Sequence, residues 1–225
     1  MKRILLVRHG QSVWNRMNKF TGWTDVPITT KGIKESKQIA KTLQKNNLIP
    51  TNYYSSVLTR SIHTANIIKN TLNNSSKIVT SWKLNEKHYG SLEGILRQDI
   101  IDIYGSKFTY NMRNNFDTFP PIIPINNNNN NIEYPLFKNN YHYKFKNGES
   151  KQLVYNRVIP YYQNIIEYKH DLPIIISHKH CMRVIMKYSL NISDSAFKYF
   201  NIPEKNIILI TLNNNQYESH SYISY

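Results

Sequence analysis

Arg8-His9-Gly10 follows directly on the apolar run Ile4-Leu5-Leu6-Val7, and a second histidine, His178, follows the apolar run from Leu172 to Ser177. A neutral imidazole is a good nucleophile near pH 7 and can carry a phosphoryl group on nitrogen. The arginine beside His9 offers a planar fork for phosphate oxygens. Gly10 lets the backbone come close to a ligand. By itself the Arg-His-Gly tripeptide fits equally a strand-end histidine bonded to a carbonyl, so the elements around it matter.

Both apolar runs read as short buried strands that deliver polar residues to their C-terminal ends. Asn52–Ser56 and Ile78–Ser81 read as further strands, Asn206–Leu212 as a last core strand, and Ser219–Ser224 as an edge. Between them, apolar residues recur at helical spacing. Ile33, Ile39, Ala40 and Leu43 follow a cap at Thr30, and Ile62, Ala65, Ile68 and Leu72 follow the second strand. Leu153, Val154, Val158 and Ile165 follow a cap at Ser150, with a kink expected at Pro160, and Met182, Ile185 and Met186 follow His178. Strands alternating with helices predict a single α/β domain, a mostly parallel sheet flanked by helices. Ligands bind such sheets outside the carboxyl ends of the strands, which is where His9 and His178 fall. The Asn126–Asn131 tract cannot build a core and predicts a disordered insertion near 124–146 within a domain spanning 1–225.

Composition narrows the setting. One cysteine, Cys181, excludes an internal disulfide and points to a reducing compartment. Neither a secretory h-region nor a stretch long enough to span a membrane is present, so a soluble cytoplasmic protein without a membrane partner is expected. The formal net charge is +15. Its densest stripe, Lys34, Lys37, Lys41 and Lys45, reads as a solvated helix face, and no nucleic-acid motif accompanies it, so no nucleic-acid partner is expected.

Asn15, Phe20-Thr21-Gly22-Trp23, Ser55-Ser56-Val57-Leu58-Thr59-Arg60 and Leu84-Asn85-Glu86-Lys87-His88-Tyr89-Gly90 follow the Arg8-His9-Gly10 run in order. With these motifs the chain resembles the cofactor-dependent phosphoglycerate mutases of the histidine phosphatase superfamily. The resemblance runs from about Lys2 to Pro121 and from about Gly148 to Asn206. It implies interconversion of 3-phosphoglycerate and 2-phosphoglycerate, primed by 2,3-bisphosphoglycerate, with no permanently bound cofactor. The partner is then a small phosphorylated three-carbon acid, and a homo-oligomer is implied.

The resemblance also assigns roles. His9 is the nucleophile, and His178 stays protonated to stabilise the transferring group. Arg8 and Arg60 clamp its oxygens with Asn15 as a neutral donor, and Glu86 shuttles the substrate proton. Thr21, Gly22 and Tyr89 bind substrate, with Arg97 and Arg113 on its carboxylate or distal phosphate. On type alone Glu86 would read as a surface carboxylate beside Lys87. No metal is implied. His9, His178 and His180 could hold zinc, but Arg8 and Arg60 would repel a cation. Cys181 and Arg183 stand too close together for the cradle of a cysteine phosphatase.

Four departures concern the substrate clamp. The family's His-Gly-Asn is His178-Lys179-His180 here, its paired arginines are Arg113-Asn114, a lysine is replaced by Arg97, and its Thr-Gly after Ile-Pro is Glu204-Lys205. Lys179 and His180 are therefore placed at the substrate. Lys179 is expected to offset the missing arginine incompletely, and His180, with an ordinary pKa near ~6.5, to make substrate affinity pH-dependent. A histidine-dependent phosphatase is the alternative activity, and a silent scaffold is disfavoured by the intact His9, Arg8, Arg60, Glu86 and His178.

Overall fold

Four residues in a row, Ile4 to Val7, are fully buried in strand β1 (Lys2–Arg8) of a computed structural model. The model describes residues 1–122, 148–168 and 171–225. The insertion expected near 124–146 lies outside the described residues. An unbroken apolar run rather than an alternating one marks a strand covered on both faces. Ile4 and Leu6 join one core cluster, Leu5 and Val7 the other. Strand β4 (Pro173–Ser177) does the same, sending Ile175 to the first cluster and Ile174 and Ile176 to the second.

Among the described residues the sheet has six strands in the order β3-β2-β4-β1-β5-β6. Strands β2 (Asn52–Ser55) and β3 (Ile78–Thr80) continue the parallel part beside β4. Strand β5 (Asn206–Asn213) pairs antiparallel with β1, and β6 (Gln216–Ser224) antiparallel with β5. The sheet is thus mostly parallel, as expected. Central β1 and β4 are neighbours with Arg8 opposite Ser177, so His9 and His178 leave the sheet side by side.

One face is covered by α2 (Thr30–Lys45) and α3 (Thr59–Thr71), the other by α6 (Lys151–Glu167) and α7 (Lys179–Ser189). The cap of α2 is Thr29, not Thr30: its hydroxyl accepts from the Gly32 amide at 3.1 Å. Ser150 caps α6 as expected, and that helix runs on through Pro160. The lysine stripe of α2 is exposed. Two helices the periodicity does not reveal, α4 (Arg97–Tyr104) and α5 (Ser106–Asn114), rest on a small cluster of Phe20, Tyr89, Leu92, Ile100 and Met112. They carry Arg97 and Arg113 over the sheet's C-terminal edge. Short helices α1 (Val13–Arg16) and α8 (Asp194–Phe197) complete the set introduced here.

Candidate active site

At the C-terminal edge of β1 and β4 the His9 and His178 rings lie 4.9 Å apart between centroids. His9 Nδ1 is 2.8 Å from the Gly10 carbonyl, which can only accept. Nδ1 therefore carries the proton and Nε2 keeps its lone pair. Burial, then the Arg60 and Arg8 guanidinium groups, hold the His9 pKa well below the usual histidine value, so the ring is neutral at pH 7. A Cβ at Gly10 would overlap the backbone of Gly32 in α2, so helix packing requires the glycine here.

His178 is fully buried, with Nε2 2.8 Å from the Ser56 hydroxyl and Nδ1 without a partner among the described residues. The expectation that it is protonated does not hold in this structure: burial and Arg60 push its pKa well below the ordinary value. Arg60 itself is 1% exposed and donates to the Gly22 carbonyl at 2.7 Å and the Thr24 carbonyl at 2.9 Å. Burial lowers its pKa only to about 10, so the guanidinium stays charged at pH 7.

Glu86 reaches the first turn of α7, where its Oε1 accepts from the His180 amide at 3.1 Å and from its own neighbour Lys87 at 2.9 Å. A carboxylate at a helix N-terminus satisfies an otherwise orphaned amide. The Glu86 carbonyl is held in turn by Trp23 Nε1 at 2.6 Å and Arg157 Nη2 at 2.8 Å. Arg157 is paired bidentately with buried Glu149, whose Oε2 also accepts from the His88 amide. Glu149, Arg157, Ser56 and the buried carboxylate of Glu93 are the supports that sequence reasoning missed. The signal available for Glu93 was an acid lodged between Leu92 and Gly94 in an otherwise apolar stretch.

One cleft is lined by Arg8, His9, Asn15, Thr21, Gly22, Arg60, Glu86, Tyr89, Arg97, Arg113, Lys179 and His180. Of the expected site residues only His178 is absent from this lining, lying beneath it. Arg8 Nε, Thr21 Oγ1, Arg97 Nε, Arg113 Nε, His178 Nδ1 and His180 Nδ1 are buried without hydrogen-bond partners among the described residues. Buried donors of this kind are normally satisfied, so their concentration here suits an anion with several oxygens. Among the described residues no group of three or more His, Cys, Asp or Glu is arranged to hold a metal ion.

The altered clamp is corrected in two places. His180 is buried, bonded through Nε2 to the Tyr89 hydroxyl at 2.8 Å, and kept well below the ordinary histidine pKa by burial, Lys151 and Arg183. The free ring is therefore neutral at pH 7, with its pKa well below the ordinary value expected for it. Asn114 turns from the cleft: its Oδ1 accepts from Arg183 Nη1 at 2.9 Å and its Nδ2 donates to the Tyr110 carbonyl. Lys179 does line the cleft, at the start of α7. Glu204 places a largely exposed carboxylate 3.8 Å from Arg8 at the mouth.

A neutral imidazole of fixed tautomer, facing guanidinium groups and unpaired donors at the carboxyl ends of parallel strands, defines a site for transferring an anionic group through histidine. The chain belongs to the histidine phosphatase superfamily (branch 1), whose family model matches residues 4–123 and 125–224. It is 39% identical over 198 residues to the 2,3-bisphosphoglycerate-dependent phosphoglycerate mutase of Buchnera aphidicola subsp. Cinara cedri, covering 86% of each chain. To the protein of the same name from Blochmanniella floridana it is 37% identical over 223 residues, covering 95% of this chain and 94% of the relative. The fold matches a mycobacterial glucosyl-3-phosphoglycerate phosphatase in complex with VO3 at a TM-score of 0.78 and 16% identity, over 100% of both chains. It also matches a putative alpha-ribazole-5'-P phosphatase from Escherichia coli at 0.76 and 17% identity, over 100% of this chain and 96% of the other.

Proposed function

We propose that this chain is a 2,3-bisphosphoglycerate-dependent phosphoglycerate mutase that interconverts 3-phosphoglycerate and 2-phosphoglycerate through a phosphohistidine at His9. The observation that carries the reading is the His9 tautomer, with Nε2 unprotonated beside Arg8, Arg60 and His178. Relatives of that name, aligned over nearly the whole chain, supply the substrate.

In priming, the Nε2 lone pair forms a P–N bond as the donor's P–O bond breaks, and protonated Glu86 gives its proton to the departing oxygen. Arg8 and Arg60 hold the phosphoryl oxygens, with Asn15 as a neutral donor. The arriving dianion supplies the negative charge that favours protonation of His178, which then stabilises the transferring group. Glu86 Oε1 is fixed by two amides, which leaves Oε2 for the substrate hydroxyl. When the phosphoryl group leaves His9 for that hydroxyl, Glu86 takes the hydroxyl proton. When the other phosphoryl group returns to His9, Glu86 gives the proton back to the departing oxygen. Thr21, Gly22, Tyr89 and His180 line the substrate's middle, and Arg97, Arg113 and Lys179 hold its distal anion. Those three cations favour retention of the bisphosphorylated intermediate over hydrolysis of phosphohistidine, the alternative phosphatase reading. A cytoplasmic homo-oligomer with no nucleic-acid or membrane partner accompanies the proposal.

The test is incubation with 2,3-bisphosphoglycerate. An acid-labile, alkali-stable adduct on His9, absent in His9→Ala, is expected, together with mutase turnover exceeding phosphate release in a coupled assay. An adduct on another residue would overturn the mechanism, and phosphate release as the dominant outcome would favour the phosphatase.

A further inference from the structure

The carboxylate of Glu93 is 3% exposed and takes four hydrogen bonds. Oε1 accepts from the amides of Trp23 and Tyr89, each at 3.0 Å. Oε2 accepts from the Thr24 amide at 2.9 Å and the Thr24 hydroxyl at 2.7 Å. The opposite side of the same turn faces Arg60, which donates to the carbonyls of Gly22 and Thr24. The turn from Gly22 to Thr24 is therefore gripped by two buried charges, a carboxylate on its amides and a guanidinium on its carbonyls. Gly22 sits at φ +53°, and a Cβ there would lie within the Glu93 carboxylate.

We infer that Glu93 is a positioning residue for phosphoryl transfer, setting Arg60 through the Gly22–Thr24 turn and Tyr89 through its backbone. The inference rests on the phosphohistidine reading of this site. Arg60 has both terminal nitrogens anchored on that turn, so its place relative to His9 follows the turn. A misplacement of about 1 Å at such a group can cost on the order of 10²-fold in rate. Arg8, Arg97, Arg113 and Lys179 also hold the donor's anionic groups, and among the described residues none of them is hydrogen-bonded to this turn. Loss of Glu93 thus lowers the rate constant much more than it lowers affinity for the phosphoryl donor, which the other four cations retain.

Glu93→Gln preserves shape and removes charge. Whichever way its amide turns, an NH2 group meets donors at either Trp23 and Tyr89 or at Thr24, so the turn has to shift. The loops themselves stay joined, because Phe20 N bonds to the Ile95 carbonyl and Gly94 N to the Phe20 carbonyl, each at 2.9 Å.

The experiment measures His9 phosphorylation by saturating 2,3-bisphosphoglycerate, donor affinity and the folded fraction, in wild type, Glu93→Gln, Arg60→Lys and the double variant. The expected result is about a 10²-fold slower phosphorylation per folded molecule in Glu93→Gln, with donor affinity within about threefold of wild type. In the Arg60→Lys background the same change should add little, since both act through one group. An unchanged rate with only a lowered Tm, or fully additive losses, would overturn the inference. If Glu93→Gln does not fold, Thr24→Val removes one of the four donors at constant shape. It should slow phosphorylation several-fold, and an unchanged rate there overturns the inference equally. Absence of phosphohistidine in wild type would instead count against the proposed function.

Discussion

At the residue scale, the proposed mechanism gives Glu86 two separable duties. Its Oε1 holds the start of α7, and its Oε2 is left for chemistry. Glu86→Gln can keep an amide oxygen on the His180 and Lys87 amides while losing the base. Turnover should fall by about 10²–10⁴-fold, the usual contribution of general acid–base catalysis, with Tm little changed. Phosphorylation of His9 by a donor with a good leaving group needs less proton transfer and should lose less. Steady-state rates with both donors check this, and equal losses would show that Glu86 acts by structure alone. The same scale explains His180. Its sequence position suggests a titrating substrate ligand, but burial and then the cations around it hold its pKa well below the ordinary value, and Tyr89 bonds its Nε2.

At the scale of elements, α5 and α7 meet beside the cleft through Asn114 and Arg183. Arg183 also donates to the Phe197 carbonyl at 2.9 Å and the Phe200 carbonyl at 2.6 Å, and its guanidinium stacks 4.7 Å from the Phe197 ring centre. Asn114 completes this set as an acceptor. Asn114→Arg, which would restore the family's paired arginines, sets a second guanidinium against the first and removes that acceptor. Losing a hydrogen bond to a buried charged group costs about 1.5–3 kcal/mol. The variant should therefore melt lower and show no gain in mutase over phosphatase activity. Denaturant unfolding and the coupled assay measure the two effects, and a gain in mutase share would show that the helix can turn the arginine into the cleft. Lys179, at the start of α7, instead lines the cleft, where the proposed mechanism uses it as the extra distal cation.

For the whole molecule, the buried bases predict how stability follows pH. His9, His178 and His180 are all held below the ordinary histidine value. Burial pushes the Lys87 ammonium down to about 7 and Lys151 well below the ordinary lysine value. Lys87 donates to the Met112 and Thr118 carbonyls, and Lys151 to the Arg113 carbonyl, beneath α5. A base with a depressed folded pKa contributes stability that is present above its unfolded pKa and lost as pH falls toward the folded one. The histidines act below about 6.5, Lys87 between about 7 and the unfolded value near 10.4, and Lys151 likewise below that unfolded value. Tm should rise from pH 5.5 to 7 and again to 9 at fixed ionic strength. Tyr53 and Tyr162, raised to about 12 by burial, reverse the trend once unfolded tyrosines ionise above about 10. Thermal melts across this range check the sign, and a fall between pH 7 and 9 would mean that Lys87 keeps its proton.

The sequence alone marked the mostly parallel core and showed two of its strands ending in a histidine, while the fold made those strands neighbours. Short unbroken apolar runs bounded by polar residues suit strands covered on both faces, and a polar residue ending such a run emerges at the sheet's edge. Through the motifs that carry the family resemblance it also named residues, from Arg8 and His9 to Lys179 and His180, that line one cleft. The supports were not legible. Glu93, Glu149 and Arg157 act across separations of up to 74 residues, and whether a charged side chain is buried and paired depends on what the chain folds around it. For the same reason only the tertiary structure decided that Gly10 serves helix packing, that Asn114 faces Arg183, and that the site histidines are neutral. Proton affinity is set by burial and by neighbouring charges, and neither is written in the order of residues.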